Sequence, residues 1–234
     1  MAIFSWTTDK EEAKQEQQTL YNLLELRNAL PNLPSFKRGI AVGSAYEENT
    51  KRAFATAIFF DQNGKCSHKI MRVNVEVNFP YVPGLLAFRV GPAICSVLDK
   101  IINQADLLVF DGQGIAHQRG FGLASHIGVL YNKPSIGVTR NVLYGKYINP
   151  PKQRFAYTDV FHPKNKTVIG YALSLGANCN ACYISPGHNI DIETSLKVIC
   201  NIAGETCFPF PIQKAHALSN KEAKAYWKNK QNML

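Results

Sequence analysis

Leu107-Leu-Val-Phe-Asp-Gly-Gln-Gly114 joins a short, wholly apolar run to a carboxylate and two glycines. Four apolar residues in succession are too few for a helix and suit a strand buried on both faces, at the centre of a sheet. Asp111 then sits at the carboxyl end of that strand, where an open α/β sheet accepts ligands. Gly112 and Gly114 would let backbone N–H groups come close to a bound molecule. Asp-Gly is equally a common turn dipeptide, so this stretch alone leaves both readings open.

On the N-terminal side, Gly39–Tyr46, Arg52–Phe60 and the alternating run Lys69–Val77 read as three antiparallel strands, with Asp61-Gln-Asn-Gly64 as a turn. Before them, Thr8-Asp-Lys-Glu11 has capping-box spacing and Leu20, Leu23 and Leu24 continue a surface helix that Pro31 and Pro34 end. Leu85–Ile102 is helical in pattern, with Pro92 breaking or disturbing it. After Gly114 the chain reads as a helix near Ser125–Tyr131 and strands at Ser135–Thr139, Val168–Leu175 and Cys182–Ser185. A helix over Asp191–Ala203, stopped by Gly204, and a basic helix over Gln213–Lys230 follow. Antiparallel strands followed by alternating helices and buried strands give an α/β fold with a mixed central sheet.

The 234 residues suit one domain, 1–234, with an N-terminal surface helix in 1–30 and a basic tail in 210–234. A hydrophobic fraction of 46% against 18% charged excludes intrinsic disorder. No apolar run approaches the roughly 18 residues of a membrane span, and the first residues carry no secretory pattern. The expectation is therefore a soluble cytoplasmic protein, or a nuclear one in a eukaryote, with a monomer as the default. Net charge is +9, the excess lying in the body and the tail, which favours a polyanion such as nucleic acid. Solubility alone would account for the same charge. The six cysteines read as free thiols. Cys179-Asn-Ala-Cys182 has half of a zinc spacing, but Cys200 and Cys207 do not supply the second half.

Longer motifs carry more. Phe79-Pro-Tyr-Val-Pro-Gly-Leu-Leu-Ala-Phe-Arg89, Phe110-Asp-Gly-Gln-Gly-Ile-Ala-His117 and Arg119-Gly-Phe-Gly-Leu-Ala-Ser-His-Ile-Gly-Val-Leu130 follow one another in order. Pro134-Ser-Ile-Gly-Val-Thr-Arg140, Leu143-Tyr-Gly145 and Tyr183-Ile-Ser-Pro-Gly-His188 continue the series. Together they resemble the endonuclease V family over about Gly39 to Asn220. The resemblance implies a ribonuclease H-like fold and Mg²⁺- or Mn²⁺-dependent phosphodiester hydrolysis on the 3′ side of deoxyinosine in DNA, or of inosine in RNA. Pro80, Tyr81, Val82 and Pro83 match the family's wedge. Two prolines stiffen such a tip, and an aromatic ring can replace stacking lost when a base is extracted. Leu86, Gly112, Gly114, Ile115 and His117 match positions around the base pocket. Asp111, His188 and Arg140 match its catalytic positions, Arg140 standing where the family has lysine.

Two departures matter most. The family places an aspartate on its first strand, in a Gly-Val-Asp-Val-Ser-Tyr context, where this chain reads Ala41-Val-Gly-Ser-Ala-Tyr46. It follows Leu-Leu-Ala-Phe-Arg with glutamate, where this chain has Val90. Both absent residues are metal ligands in the family, and Asp111 is the third. Mg²⁺ wants near-octahedral oxygen coordination, to which Gly43 and Val90 contribute nothing. The reading is thus a nucleic-acid-binding member with hydrolysis lost or strongly weakened. Its alternatives are an active nuclease whose metal site borrows Glu47, Glu48 or Glu76, and a protein-interaction module that has left nucleic acid. The tail lysines (Lys214, Lys221, Lys224, Lys228, Lys230) read as solvated, and Trp227 has no sequence-level explanation.

Overall fold

The computed structural model describes residues 6–29 and 35–232. Its centre is an eight-stranded mixed sheet in the order β3-β2-β1-β4-β5-β8-β7-β6. The strands are β1 (Gly39–Glu47), β2 (Arg52–Phe60), β3 (Cys66–Glu76), β4 (Leu107–Asp111), β5 (Ser135–Thr139), β6 (Tyr157–Phe161), β7 (Val168–Leu173) and β8 (Cys182–His188). β1, β4 and β5 run parallel, and every other pairing is antiparallel. The helices are α1 (Lys10–Tyr21), α2 (Leu86–Leu98), α3 (Leu123–Tyr131), α4 (Ile192–Ile202) and α5 (Phe210–Gln231).

β4 is the central strand that its composition predicts. Leu108 and Phe110 enter the core under α2 and α3, while Leu107 and Val109 enter the core under α4 and α5. Alternate residues face opposite sides of a sheet, so an unbroken apolar run fills two cores at once. α5 docks through Ala215, Ser219 and Ala223, small residues four apart on one face. That stripe lets the helix backbone come unusually close to β1. Lys221, Lys224, Lys228 and Lys230 are exposed, and Tyr226 packs on Phe54 beneath the Arg52 guanidinium.

Several expectations change. The cap of α1 is Asp9, whose carboxylate accepts from the Glu11 and Glu12 N–H groups, in place of Thr8. α1 ends at Tyr21, well before Pro31 and Pro34, which lie outside the described residues. Its backbone partners change there: Glu25 N–H donates to His188, and Glu25 and Ala29 exchange bonds with Asn189. Leu23 is consequently exposed. Pro92 leaves α2 unbroken. β6, five residues at the sheet edge, has too little pattern to be read. Cys179 and Cys207 form a disulfide, whereas Cys66, Cys95, Cys182 and Cys200 are free. Their loops precede β8 and α5, and no sequence spacing discloses that these loops meet. Among the described residues no helix is long and apolar enough to cross a membrane.

Leu108→Ala should cost about 2–5 kcal/mol in denaturant unfolding, as for a fully buried core leucine. Leu23→Ala should stay within about 0.5 kcal/mol. A comparable loss for both would mean that α1 extends past Tyr21.

Candidate nucleic-acid-binding cleft

Parallel pairing of β1 with β4 sets Val42 opposite Phe110, so Gly43 and Asp111 emerge side by side at the carboxyl edge of the sheet. A cleft of about 400 Å³ opens there, lined among others by Tyr46, Tyr81, Arg89, Val90, Asp111, His216 and Asn220. The Asp111 carboxylate is 16% exposed. His216 Nδ1 approaches its Oδ2 to 2.6 Å, off the line of a well-directed hydrogen bond. Arg140 Nη1 stands 3.5 Å from the same oxygen, with its guanidinium 3.9 Å over the Phe208 ring.

Gly43 is the position where close approach excludes any side chain. A Cβ there would overlap the α5 backbone at Ala215 and His216. The Gly43 carbonyl accepts from Ser219 Oγ at 2.9 Å. Val90 is buried in the core beneath the cleft. Next to it Arg89 lies 3.8 Å from the Tyr46 ring centre and pairs with Glu48.

A divalent ion needs several oxygen donors at one point. Asp111 offers one carboxylate, already faced by His216 and Arg140. Glu47 accepts from Asn49 and Thr50 within its own turn, and Glu48 is turned to Arg89. Glu76 ends β3, three strands from β4, and its register opposite Glu47 sets it further off still, so it lies more than about 14 Å away at ordinary strand spacing. No cluster of three or more His, Cys, Asp or Glu suited to a metal occurs among the described residues. The donor set does not fit the metal that the resemblance implies.

A second, smaller cavity, about 40 Å³, lies beside Leu86 and is lined also by Gln17, Gly84, Gln113, His117 and Leu143. Its frame converges on one carbonyl. Gly84 O accepts from Gln17 Nε2 at 3.0 Å, Arg119 Nη2 at 2.7 Å and His117 Nε2 at 3.0 Å. Gly84 has φ +83°, a conformation that favours glycine. Arg119 Nε also donates to Gln17 Oε1 at 2.7 Å. His117 Nδ1 accepts from Arg119 N–H, which leaves the proton of a neutral ring on Nε2. Burial, then the Arg119 charge, push its pKa down to about 4. From the Pro80–Pro83 stretch, Tyr81 lines the larger cavity, and Gly84, which follows it, lines the smaller. Tyr81 is 71% exposed, while Val82 packs partly on the core.

Not every expected residue gathers here. β8 runs antiparallel to β5, so His188 pairs with Ser135, whereas Asp111 pairs with Val138 towards the other end of β5. His188 is buried, accepting from Glu25 N–H and bonded to Asn132, with its pKa lowered by burial. The histidine that meets Asp111 is His216. The glycine N–H groups are not turned to a ligand either: Gly112 donates to Val138 O and Gly114 to Ser185 Oγ. Gly114 is glycine because β8 crowds it at Pro186 O. Gln113, between them, lines the smaller cavity, and Ile115 packs in a satellite cluster with Tyr144 and Tyr183. His216 and Gln17 escaped the sequence reading. Gln17 lies four residues after Ala13 on the same helical face, the one available signal.

The family model for Endonuclease V matches residues 19–217. An Endonuclease V of Methanothrix thermoacetophila is 34% identical over 227 residues, covering 95% of this chain and 96% of the relative. The crystal structure of Endonuclease V from Streptomyces avermitilis superposes with a TM-score of 0.81 at 29% identity, over 95% of this chain and 96% of that one. Ciona intestinalis Endonuclease V, solved with a 24mer DNA containing an inosine followed by a ribo-adenosine, shares the fold. Its TM-score is 0.79 at 22% identity, over 93% and 100% of the two chains. The ribonuclease H-like architecture is thus the observed one.

Gly43→Ala should destabilise the protein by about 1–3 kcal/mol or more, since backbone has to move. Calorimetry checks this, at about 2–4 °C of Tm per kcal/mol for this size. An unchanged Tm would refute the close contact. For His117, the unfolded ring takes up its proton near pH 6.5 and the folded ring only near pH 4. Its contribution, about 3 kcal/mol at most, should be present above pH 6.5 and lost as pH falls towards 4. His117→Gln should remove that part of the slope from the pH dependence of unfolding.

Proposed function

Because the chain belongs to the endonuclease V family, we propose that it is a nucleic-acid-binding member that has given up metal-dependent hydrolysis. It grips an inosine-bearing or otherwise distorted strand of DNA or RNA with the Tyr81 wedge and the cavity beside Leu86. One observation carries the reading: the α5 backbone occupies the space into which a side chain at 43 would project. The missing ligand cannot be supplied by a rotamer or a single substitution. Hydrolysis of a phosphodiester needs the ion to activate water and stabilise the leaving oxygen, and the donors for such an ion are dispersed. The recognition elements are intact by comparison. Tyr81 is presented to solvent for stacking, and the Gly84 carbonyl hub fixes the wedge to the base cavity. Extracting a base costs a few kcal/mol and least for a mispaired one, which suits hypoxanthine. The charge of +9 supplies the sequence-independent attraction. Glu47, Glu48 and Glu76 point away from an active nuclease with a rebuilt site, since each is committed elsewhere or distant.

The test is an end-labelled single strand carrying one deoxyinosine, incubated with Mg²⁺ and with Mn²⁺ beside an Asp111→Asn control. The strand should stay intact with either metal while still being retarded by the protein. Cleavage 3′ of the lesion that the control abolishes would refute the loss of hydrolysis. Absence of retardation would refute the binding role.

A further inference from the structure

Outside the cleft, the half of the sheet from β5 to β6 has an unusual charge balance. Between Asp111 and Asp191 the chain holds eight Lys and Arg residues and one acid, Asp159. Asp159 pairs with Tyr171 across β6 and β7, while Thr158 pairs with Ala172, which in turn pairs with Tyr183. Neighbouring positions face opposite sides, so the single acid points away from the face that bears Tyr183.

That face carries the exposed ring of Tyr147, the partly buried ring of Tyr183 and exposed apolar surface. Tyr183 Oη donates to Tyr147 Oη at 2.8 Å, with ring centres 5.0 Å apart and 66° between planes. Ile148, next in sequence, is 80% exposed. It is held above the sheet by Thr158 Oγ1, which donates to its carbonyl. Lys146 exchanges two backbone bonds with Phe161, fixing it beside the turn that holds Lys164 and Lys166. All three lysines are exposed. This surface is continuous with the cleft: Leu143 lines the small cavity, and Ile115, Tyr144 and Tyr183 share the satellite cluster.

We propose that Tyr147, Ile148 and Tyr183, bordered by Lys146, Lys164 and Lys166, form a platform for single-stranded nucleic acid leaving the cleft past Leu143. The inference rests on the reading that the cleft binds nucleic acid. An exposed ring beside unopposed cations is a combination that holds single strands: Tyr147, braced by Tyr183, stacks on bases of any sequence, and the cations follow the backbone. A duplex would not offer its base faces, so the surface selects an unpaired strand. An apolar protein partner would gain nothing from three unpaired lysines around the patch.

The experiment compares two fluorescent single strands, each with one deoxyinosine, by anisotropy in Mg²⁺-free buffer. One is about six nucleotides long and the other about sixteen, extended on both sides, spanning the usual range of single-strand site sizes. The longer strand should bind about tenfold more tightly. Tyr147→Ala with Ile148→Ala should erase that advantage and leave the short strand unaffected, and Tyr147→Phe should keep most of it. Lys146→Glu, Lys164→Glu and Lys166→Glu together should flatten the salt dependence of the long strand by about 2 in log–log slope. Equal affinity for both strands, or an unchanged advantage in the Ala variant, would overturn the platform and leave the face to a protein partner. If the short strand fails to bind while the long one binds through Tyr147, the cleft reading falls and the platform stands. If neither binds, both fall.

Discussion

The contact on which the site depends is backbone against backbone, α5 on β1 at Gly43. It requires a residue with no side chain on the strand and small residues on the helix, and Ala215, Ser219 and Ala223 supply the latter. With the two surfaces in contact, the Gly43 carbonyl takes the Ser219 hydroxyl, and His216 is delivered to Asp111. The cleft, its lining and its charge follow from this one approach.

Asp111 shows what the approach does electrostatically. A carboxylate that is mostly withdrawn from water is costly unless positive charge or hydrogen bonds surround it. Here Arg140, braced on Phe208, faces the carboxylate together with His216, which adds charge when protonated. Nearby, Arg89 is buried between Tyr46 and Glu48, next to the hydrocarbon of Val90. The cleft therefore presents guanidinium, imidazole and aromatic groups, which suit a phosphate backbone and a base, and gathers few of the oxygens that a hard cation needs.

Much of this was legible in the sequence, and for identifiable reasons. The β4 run, the β1–β3 alternation and the Asp191–Gly204 boundaries of α4 are local patterns, and each reappears as an element. The order of the motifs is what draws attention to Asp111, Pro80–Pro83, Gly43 and Val90 as candidates. What the sequence does not disclose depends on tertiary placement. The resemblance puts His188 at a catalytic position, and antiparallel β8 places it towards the other end of β5 from Asp111. His216 sat unnoticed in a segment read as a basic helix. The glycines after Asp111 serve packing against β5 and β8, and the Cys179–Cys207 bond joins loops that no spacing connects.

The proposed function requires that this cleft hold nucleic acid without a divalent ion. The most direct measurement is the affinity for a deoxyinosine-containing single strand, taken in EDTA and again in Mg²⁺ at matched ionic strength. Equal affinity is expected in the two buffers, with loss of it when Tyr81 is cut back to alanine. Binding that appears only with Mg²⁺, and disappears in Asp111→Asn, would contradict it.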